Sequence, residues 1–328
     1  MATNSLIYSN ARVKTMENSL LTSEKITRMV FADNLEDGVK VLTESGYGGE
    51  LISDAKNFDD IILAETNRVA KFVASAIPKD SGMECLVIGS DYHNAKVLAK
   101  AKYGKVAEYE LMLMPAGLVD VEMLKDSVMN DNYSSLPAPM AKALGELDNL
   151  LAVGKINPRE IDIRLEKAMY EQSLSIVRKA KNKSLVNYVQ ANIDFANIST
   201  FVRCKRVGMD EKTFKESFIE GGKLDRAYFV AVFDQAVEVL GEKLKYSDYR
   251  QASDSVTRSD MNEFEVVWDN YLLAILKDDK NDLFSISPLA GFYVAKKIEL
   301  KVVRMILTLL KNNIDKSQIK ARLRDYYV

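Results

Sequence analysis

The chain has 328 residues, more than one hydrophobic core comfortably serves, and its 47% apolar and 28% charged side chains are ordinary for a folded, soluble protein. Glycine (15) and proline (6) are scarce, which favours helix over sheet because these residues punctuate strands and turns. The 45 basic and 47 acidic residues give a net charge of −2 without a long run of either sign, so no nucleic-acid partner is expected.

The first ten residues lack a basic segment followed by an apolar core, and no signal peptide is expected. No stretch reaches the roughly 18–20 apolar residues that span a bilayer, so any membrane association must run through a partner. Short helices are predicted over 22–30 and 35–43, the second opened by Asp33 as cap with Glu36 three residues on. The cluster Gly46-Tyr47-Gly48-Gly49 is a turn, and a longer helix runs from Phe58 until Pro78 stops it. Residues 85–88 form a brief apolar run that could be strand but has no evident partner. Further helices are predicted over 121–128, 139–147 and 158–181, the last capped by Asn157 with Pro158 at its first position and Glu160 closing a capping box. Segments 211–219 and 224–240 follow, separated by Gly221-Gly222. Asp260 with Glu263 opens the next helix, and Ser287-Pro288 opens another, which is expected to reach about Asn313. In it Ile298, Val302, Met305 and Leu309 form an apolar stripe, with Lys297, Lys301 and Arg304 on an adjacent solvated face. The fold class is all-α.

A short signature recurs along the chain. Tyr8-Ser9-Asn10-Ala11-Arg12-Val13 matches Tyr92-His93-Asn94-Ala95-Lys96-Val97, and a third copy is Phe195-Ala196-Asn197-Ile198-Ser199-Thr200. Asp91 and Asp194 precede the second and third copies. A weaker fourth, Leu300 to Met305, follows Glu299 and has Val302 where the asparagine belongs. The intervals from Asn10 to Asn94, Asn94 to Asn197 and Asn197 to Val302 are 84, 103 and 105 residues. The four copies thus bracket three similar units, each with two short helices and then a long one. Residues 42–47 and 244–249 add a shared turn to the first and third units. Such self-similarity signals repeat architecture, and three long units suit a closed, funnel-like pseudo-threefold arrangement. The units fall at 1–103, 104–207 and 208–328.

Candidate chemistry is sparse. His93 is the only histidine, too few for two-histidine zinc or di-iron sites, and is read as a surface or repeat-interior residue. Cys85 and Cys204 make no CxxC pair and are read as small buried residues; Cys85 and His93 form no nucleophile–base motif. Gly154-Lys155-Ile156 and Gly104-Lys105-Val106 lack the earlier glycine and the hydroxyl of a phosphate loop. Gly46-Tyr47-Gly48 has Leu51 where the last glycine of GxGxxG belongs. Glu263 and Glu265 lie on different helix faces. Phe264, Trp268 and Tyr271 form an aromatic stripe read as packing. No catalytic, cofactor-binding or metal-ligating residue is assigned, no cofactor is expected, and the partner-contacting residues stay unnamed.

Four stretches together resemble a known family: YSNARVKTMENSLL from Tyr8, DYHNAKVLAKAKYG from Asp91, DFANISTFVRCKRVG from Asp194, and the C-terminal third. That third carries Pro288-Leu289, Ala295-Lys296-Lys297-Ile298-Glu299, Val303-Arg304-Met305-Ile306-Leu307 and the closing Arg322-Leu323-Arg324-Asp325-Tyr326-Tyr327-Val328. The chain resembles the C subunit of V/A-type (vacuolar/archaeal-type) rotary ATPases, whose eukaryotic counterpart is the d subunit of the V-ATPase, from end to end. Val302, where the signature has a polar residue, is a departure. The resemblance implies a helical funnel of three lobes and a non-catalytic place in the rotor, between the central-stalk subunits and the membrane proteolipid ring. It implies a peripheral position on the cytoplasmic face, reached only through the ring, in a machine coupling ATP to proton or sodium transport. The competing readings are a general helical scaffold in another complex and an all-α metal-dependent enzyme, for which the chain lacks ligand clusters.

Overall fold

The computed structural model describes residues 2–49, 57–104, 108–114 and 116–327. Leu51, Lys105 and Val106, which belong to the incomplete phosphate-loop patterns, lie outside the described residues. The described residues form helices and connecting turns with no strand, as an all-α reading requires. In chain order the helices are α1 Ala2–Glu17, α2 Ser23–Val30, α3 Leu35–Glu44, α4 Phe58–Ala76, α5 Gly89–Gly104, α6 Val121–Met129, α7 Ala138–Ala152 and α8 Pro158–Ala180. They continue with α9 Lys183–Arg206, α10 Glu211–Ser217, α11 Arg226–Val230, α12 Val237–Leu244, α13 Ser253–Thr257, α14 Met261–Lys277, α15 Ser287–Lys311 and α16 Lys316–Lys320.

Helix starts follow local chemistry. Asn157 accepts a hydrogen bond from the Glu160 amide at 3.0 Å, and Asp260 accepts from Asn262 and Glu263. Glu160 does not close a capping box; its carboxylate accepts from Arg164 one turn on. The cap of α3 is Asn34 and not Asp33: the Asn34 side chain accepts from the Asp37 amide at 2.9 Å. The run 85–88 is no strand. It lies in a single 3-10 turn, Met83–Leu86, and the approach to α5. The expected helix over 224–240 is broken into α11 and α12, with turn residues between. Aromatic packing accounts for the break: Phe229 at the end of α11 and Phe233 in the turn after it both pack on Phe201 and Phe214, with Phe201 and Phe233 ring centroids 5.4 Å apart.

The chain gathers into two compact units. One combines Met1–Lys79 with Gln235–Val328. Its axis is α15, buried on every side from Ser287 to Lys296 and packed by α1, α3, α4 and α14. That pattern explains why the apolar stripe of this helix is wider than the 298–302–305–309 track: Val303, Ile306 and Leu307 are fully enclosed, while Met305 and Leu309 are half-buried. The other unit, Asp80–Asp234, is built on α5, α8 and α9. Leu98, Leu124, Leu144 and Leu165 sit at its centre with no solvent exposure.

Candidate functional site

Among the described residues, no group of histidine, cysteine or carboxylate side chains could hold a metal ion. No described helix is long and apolar enough to cross a membrane. The features with polar chemistry inside the protein are instead the signature helices, and each uses its signature residues to grip a loop.

In α5, Asn94 lies buried and bonds Met114 twice: its Nδ2 donates to the carbonyl and its Oδ1 accepts from the amide, both at 2.8 Å. One turn earlier, buried Asp91 accepts from the Leu118 and Val119 amides at 3.1 and 3.0 Å. In α9 the same contacts recur. Asn197 donates to the Ile219 carbonyl at 2.8 Å and accepts from its amide at 2.9 Å. Asp194 accepts from Lys223 and Leu224 at 2.8 and 3.0 Å. The gripped amides hold the same place after each signature helix, immediately before the helix caps Asp120 and Asp225. Each asparagine holds the residue six positions before that cap. Gly117 and Gly222 complete the fit, because a Cβ on either would strike the carboxylate of Asp91 or Asp194. At Asp91, burial pushes the carboxyl above its ordinary value although the Val119 and Leu118 amides pull it down.

The fourth copy grips as well, but across the length of the chain. Glu299 on α15 accepts from the Leu21 amide at 2.6 Å, directly before Thr22, the cap of α2. Its loop belongs to the N-terminal segment, so the last signature helix is tied to the start of the chain. Val302 stands where the gripping asparagine would be and forms no such bond, being a hydrocarbon. The first copy has Ile7 in place of the acid; its Asn10 donates to the Leu283 and Ser285 carbonyls at 2.9 and 2.8 Å.

Around Glu299 lies an ionic cluster. Lys296, with no exposure, pairs with Glu65 at 2.8 Å and with Glu299 at 2.6 Å, and its ammonium stands 4.3 Å from the centre of the Tyr47 ring. Tyr47 donates to Glu299 at 2.9 Å, and Arg68 grips Glu65 through two nitrogens at 2.8 and 2.7 Å. Burial raises the Glu65 carboxyl, but the Arg68 hydrogen bond and the Lys296 charge outweigh it and hold Glu65 below the ordinary glutamate value. Burial, then the charges of Glu299 and Glu65, push the Tyr47 phenol well above its ordinary value. Lys296, Glu299 and Tyr47 each fall in a sequence motif, but their meeting does not show there, and Glu65 and Arg68 fall in none. A signal was present. Glu65 interrupts the buried α4 stripe Phe58, Ile61, Ile62, Val69, Val73, and a carboxylate on an apolar stripe calls for a buried cation.

The remaining candidates fall where packing puts them. The His93 Nε2 lies 3.0 Å from the Met112 carbonyl, on the loop that Asn94 holds. Phe264 is buried and meets Trp268 edge-on at 6.1 Å, while Tyr271 packs on Tyr249 at 5.5 Å, so the aromatic stripe is packing. Lys297, Lys301 and Arg304 are exposed; Lys301 pairs with Asp269 at 2.9 Å and Arg304 with Asp59 at 3.4 Å. Cys204 is buried and Cys85 half-buried, both as free thiols, and burial raises the Cys204 thiol above its ordinary value. In the native chain one thiol, Cys85, is expected to react with a disulfide reagent at least about tenfold faster than Cys204, which reacts on unfolding. Two fast thiols in native buffer would contradict the enclosed position of Cys204.

The grips span the chain from its first helix to its last long one, and so does its similarity to known proteins. The family described as ATP synthase (C/AC39) subunit matches residues 9–322, nearly the whole chain, from within the first signature helix to beyond the last. The chain belongs to the C/AC39 subunit family of V/A-type ATPases. It is 23% identical to the C subunit of the A-type ATP synthase of Pyrococcus abyssi over 95% of this chain and 88% of that one. It is 20% identical to the C subunit of the V-type sodium ATPase of Enterococcus hirae over 97% and 98%. A third relative, the C subunit of the A-type ATP synthase of Thermococcus gammatolerans, is 24% identical over 95% and 88%. Membership of the C/AC39 family makes the chain a subunit of a rotary ATPase.

Proposed function

We propose that this C/AC39 subunit is a non-catalytic rotor adaptor, joining the central stalk to the membrane proteolipid ring and passing torque between them during proton or sodium transport. It lies peripherally on the cytoplasmic face, reached through the ring. In this reading the three repeat units, 1–103, 104–207 and 208–328, form a funnel with pseudo-threefold symmetry that receives the stalk.

The observation that carries the proposal is the recurrence of one grip at Asp91, Asp194 and Glu299, each on the loop before a helix cap. The third grip ties α15 to the N-terminal segment, which is what a closed set of three units needs. A part that transmits torque must resist shear, and close-packed helices with loops fixed by buried, charge-assisted hydrogen bonds do so. The alternative of a general helical scaffold shares the fold but gives no reason for the family match across residues 9–322.

Affinity purification of the tagged chain from native membranes in mild detergent, followed by mass spectrometry, tests the proposal. Stalk and proteolipid subunits are expected in the eluate, and deletion of the chain is expected to separate stalk from ring. Recovery with unrelated partners, or a stalk–ring connection that survives the deletion, would overturn it.

A further inference from the structure

Helix α8 leaves one face uncovered along almost its whole length. Glu160, Arg164, Lys167, Glu171, Ser175 and Arg178 recur at helical spacing and form the floor of a groove about 27 Å long at 1.5 Å per residue. Two adjoining clefts of about 560 and 760 Å³ make up the groove and share Lys167 and Glu171. One wall is α7, with Lys142 and Glu146; the other is α10 and the turn after it, with Lys215 and Gly221.

The charges on this surface are not balanced within the chain. Arg164 is spent on Glu146 and Glu160, Lys215 on Glu211, and Arg226 on Glu220. Lys167 donates only to the Glu216 carbonyl, at 2.6 Å. Among the described residues, Lys142, Lys155 and Arg178 on the cleft walls and floor have no carboxylate partner, and Glu171 is the one lining carboxylate without a cation. Four cations thus stand against one free carboxylate. Burial, followed by the nearby Arg226 charge, holds the Lys167 ammonium below its ordinary value.

We propose that the α8 groove docks an acidic helical segment of another subunit, whose carboxylates pair with Lys142, Lys155, Lys167 and Arg178. The groove's length takes several turns of helix, and its open mouth admits one. Free cations flanking a polar floor select a carboxylate-bearing partner over an apolar one and set its register. This inference rests on the reading of the chain as one subunit of a larger assembly.

The test places a photo-crosslinking side chain at Ser175 on the groove floor, and a control at exposed Glu122 on α6, in the full chain purified with its native partners. The Ser175 probe is expected to capture, from another polypeptide, a peptide rich in aspartate and glutamate, while Glu122 does not capture that peptide. Lys142→Glu with Arg178→Glu alters two exposed side chains without a carboxylate partner in the chain. The pair is expected to leave the melting temperature unchanged and to cut the crosslink yield at least about tenfold, with a matching loss as salt is raised. The proposal is overturned by capture of nothing beyond the chain itself, by capture of a neutral or basic peptide, or by a yield the double reversal does not change. The name of the captured protein tests the rotor reading separately: an acidic peptide from a protein outside the ATPase upholds the groove and refutes the adaptor.

Discussion

Replacing Lys296 with methionine is expected to destabilise the chain by about 3–5 kcal/mol, the cost of removing one member of a buried ion pair. Lys296 and Glu65 have no exposure, and Glu299 is 9% exposed, so the two carboxylates lose their shared cation without gaining water. Arg68 continues to hold Glu65, and Tyr47 and the Leu21 amide continue to hold Glu299, which keeps the loss finite. Methionine fills most of the lysine volume, so the loss reports charge and not a cavity. Removing Glu65 as well, as Lys296→Met with Glu65→Met, is expected to recover part of the loss, because a fully apolar replacement strands fewer charges. Urea unfolding of the single and double variants measures both; additive losses would mean the pair does not interact.

The pH dependence of the same cluster follows in sign. Glu65 titrates lower in the folded chain than in the unfolded one, so its contribution is full above the ordinary glutamate value near 4.5 and is lost as pH falls through the folded value. Tyr47 is shifted upward, so its contribution is full below its ordinary value of 10.0 and is lost as pH rises through the raised one. Stability should therefore fall at both extremes, and the acid limb should weaken in Glu65→Gln.

Most of the helical order was legible in the sequence because it rests on local chemistry. Asn157 with Pro158, and Asp260, open helices within a residue of where capping places them. Where local rules were ambiguous, the neighbour in space decided. Asn34 displaces Asp33 as a cap because its carbonyl oxygen reaches the Asp37 amide. The 224–240 segment has helical composition, yet the aromatic cluster on Phe201 breaks it between Val230 and Val237. The repeat signature was visible as a pattern, but its purpose was not, since Asn94 and Asn197 act on residues 20 and 22 positions away. The weak fourth copy misled by its valine: its similarity to the others lies in Glu299, whose target is 278 residues distant. The ionic cluster joins α4, α15 and the turn at Tyr47, and no single-segment pattern spans that separation. The α8 groove was invisible for a related reason, because a charged stripe acquires meaning only when the walls beside it are known.

The second large effect is expected at the grips themselves. Asp194→Ala removes two charge-assisted hydrogen bonds and leaves the Lys223 and Leu224 amides half-enclosed without acceptors, at a cost of about 3 kcal/mol. Asp91→Ala should cost nearly as much, because the Leu118 and Val119 amides stand in the same relation to their helix cap. Its loss should be somewhat smaller at neutral pH, where charging the raised Asp91 carboxyl already takes something from folding. Gly222→Ala attacks the same grip from the loop side, driving a methyl group into the Asp194 carboxylate, and is expected to cost about 1–3 kcal/mol. Asp194→Ala combined with Gly222→Ala should cost less than the sum, since alanine at 194 vacates the space the new methyl needs. Ile7, the counterpart of these acids in the first copy, grips nothing by hydrogen bonding, and Ile7→Asp should give no gain in stability. Hydrogen exchange separates a local from a global effect: in Asp194→Ala the Lys223 and Leu224 amides should lose protection before the interior of α9 does. If Asp91→Ala and Asp194→Ala both unfold within about 0.5 kcal/mol of the parent chain, the grips are ornament on a helix pack that holds by apolar burial alone. If both fall by several kcal/mol, the loops before α6 and α11 are held by their signature helices and not by apolar burial alone.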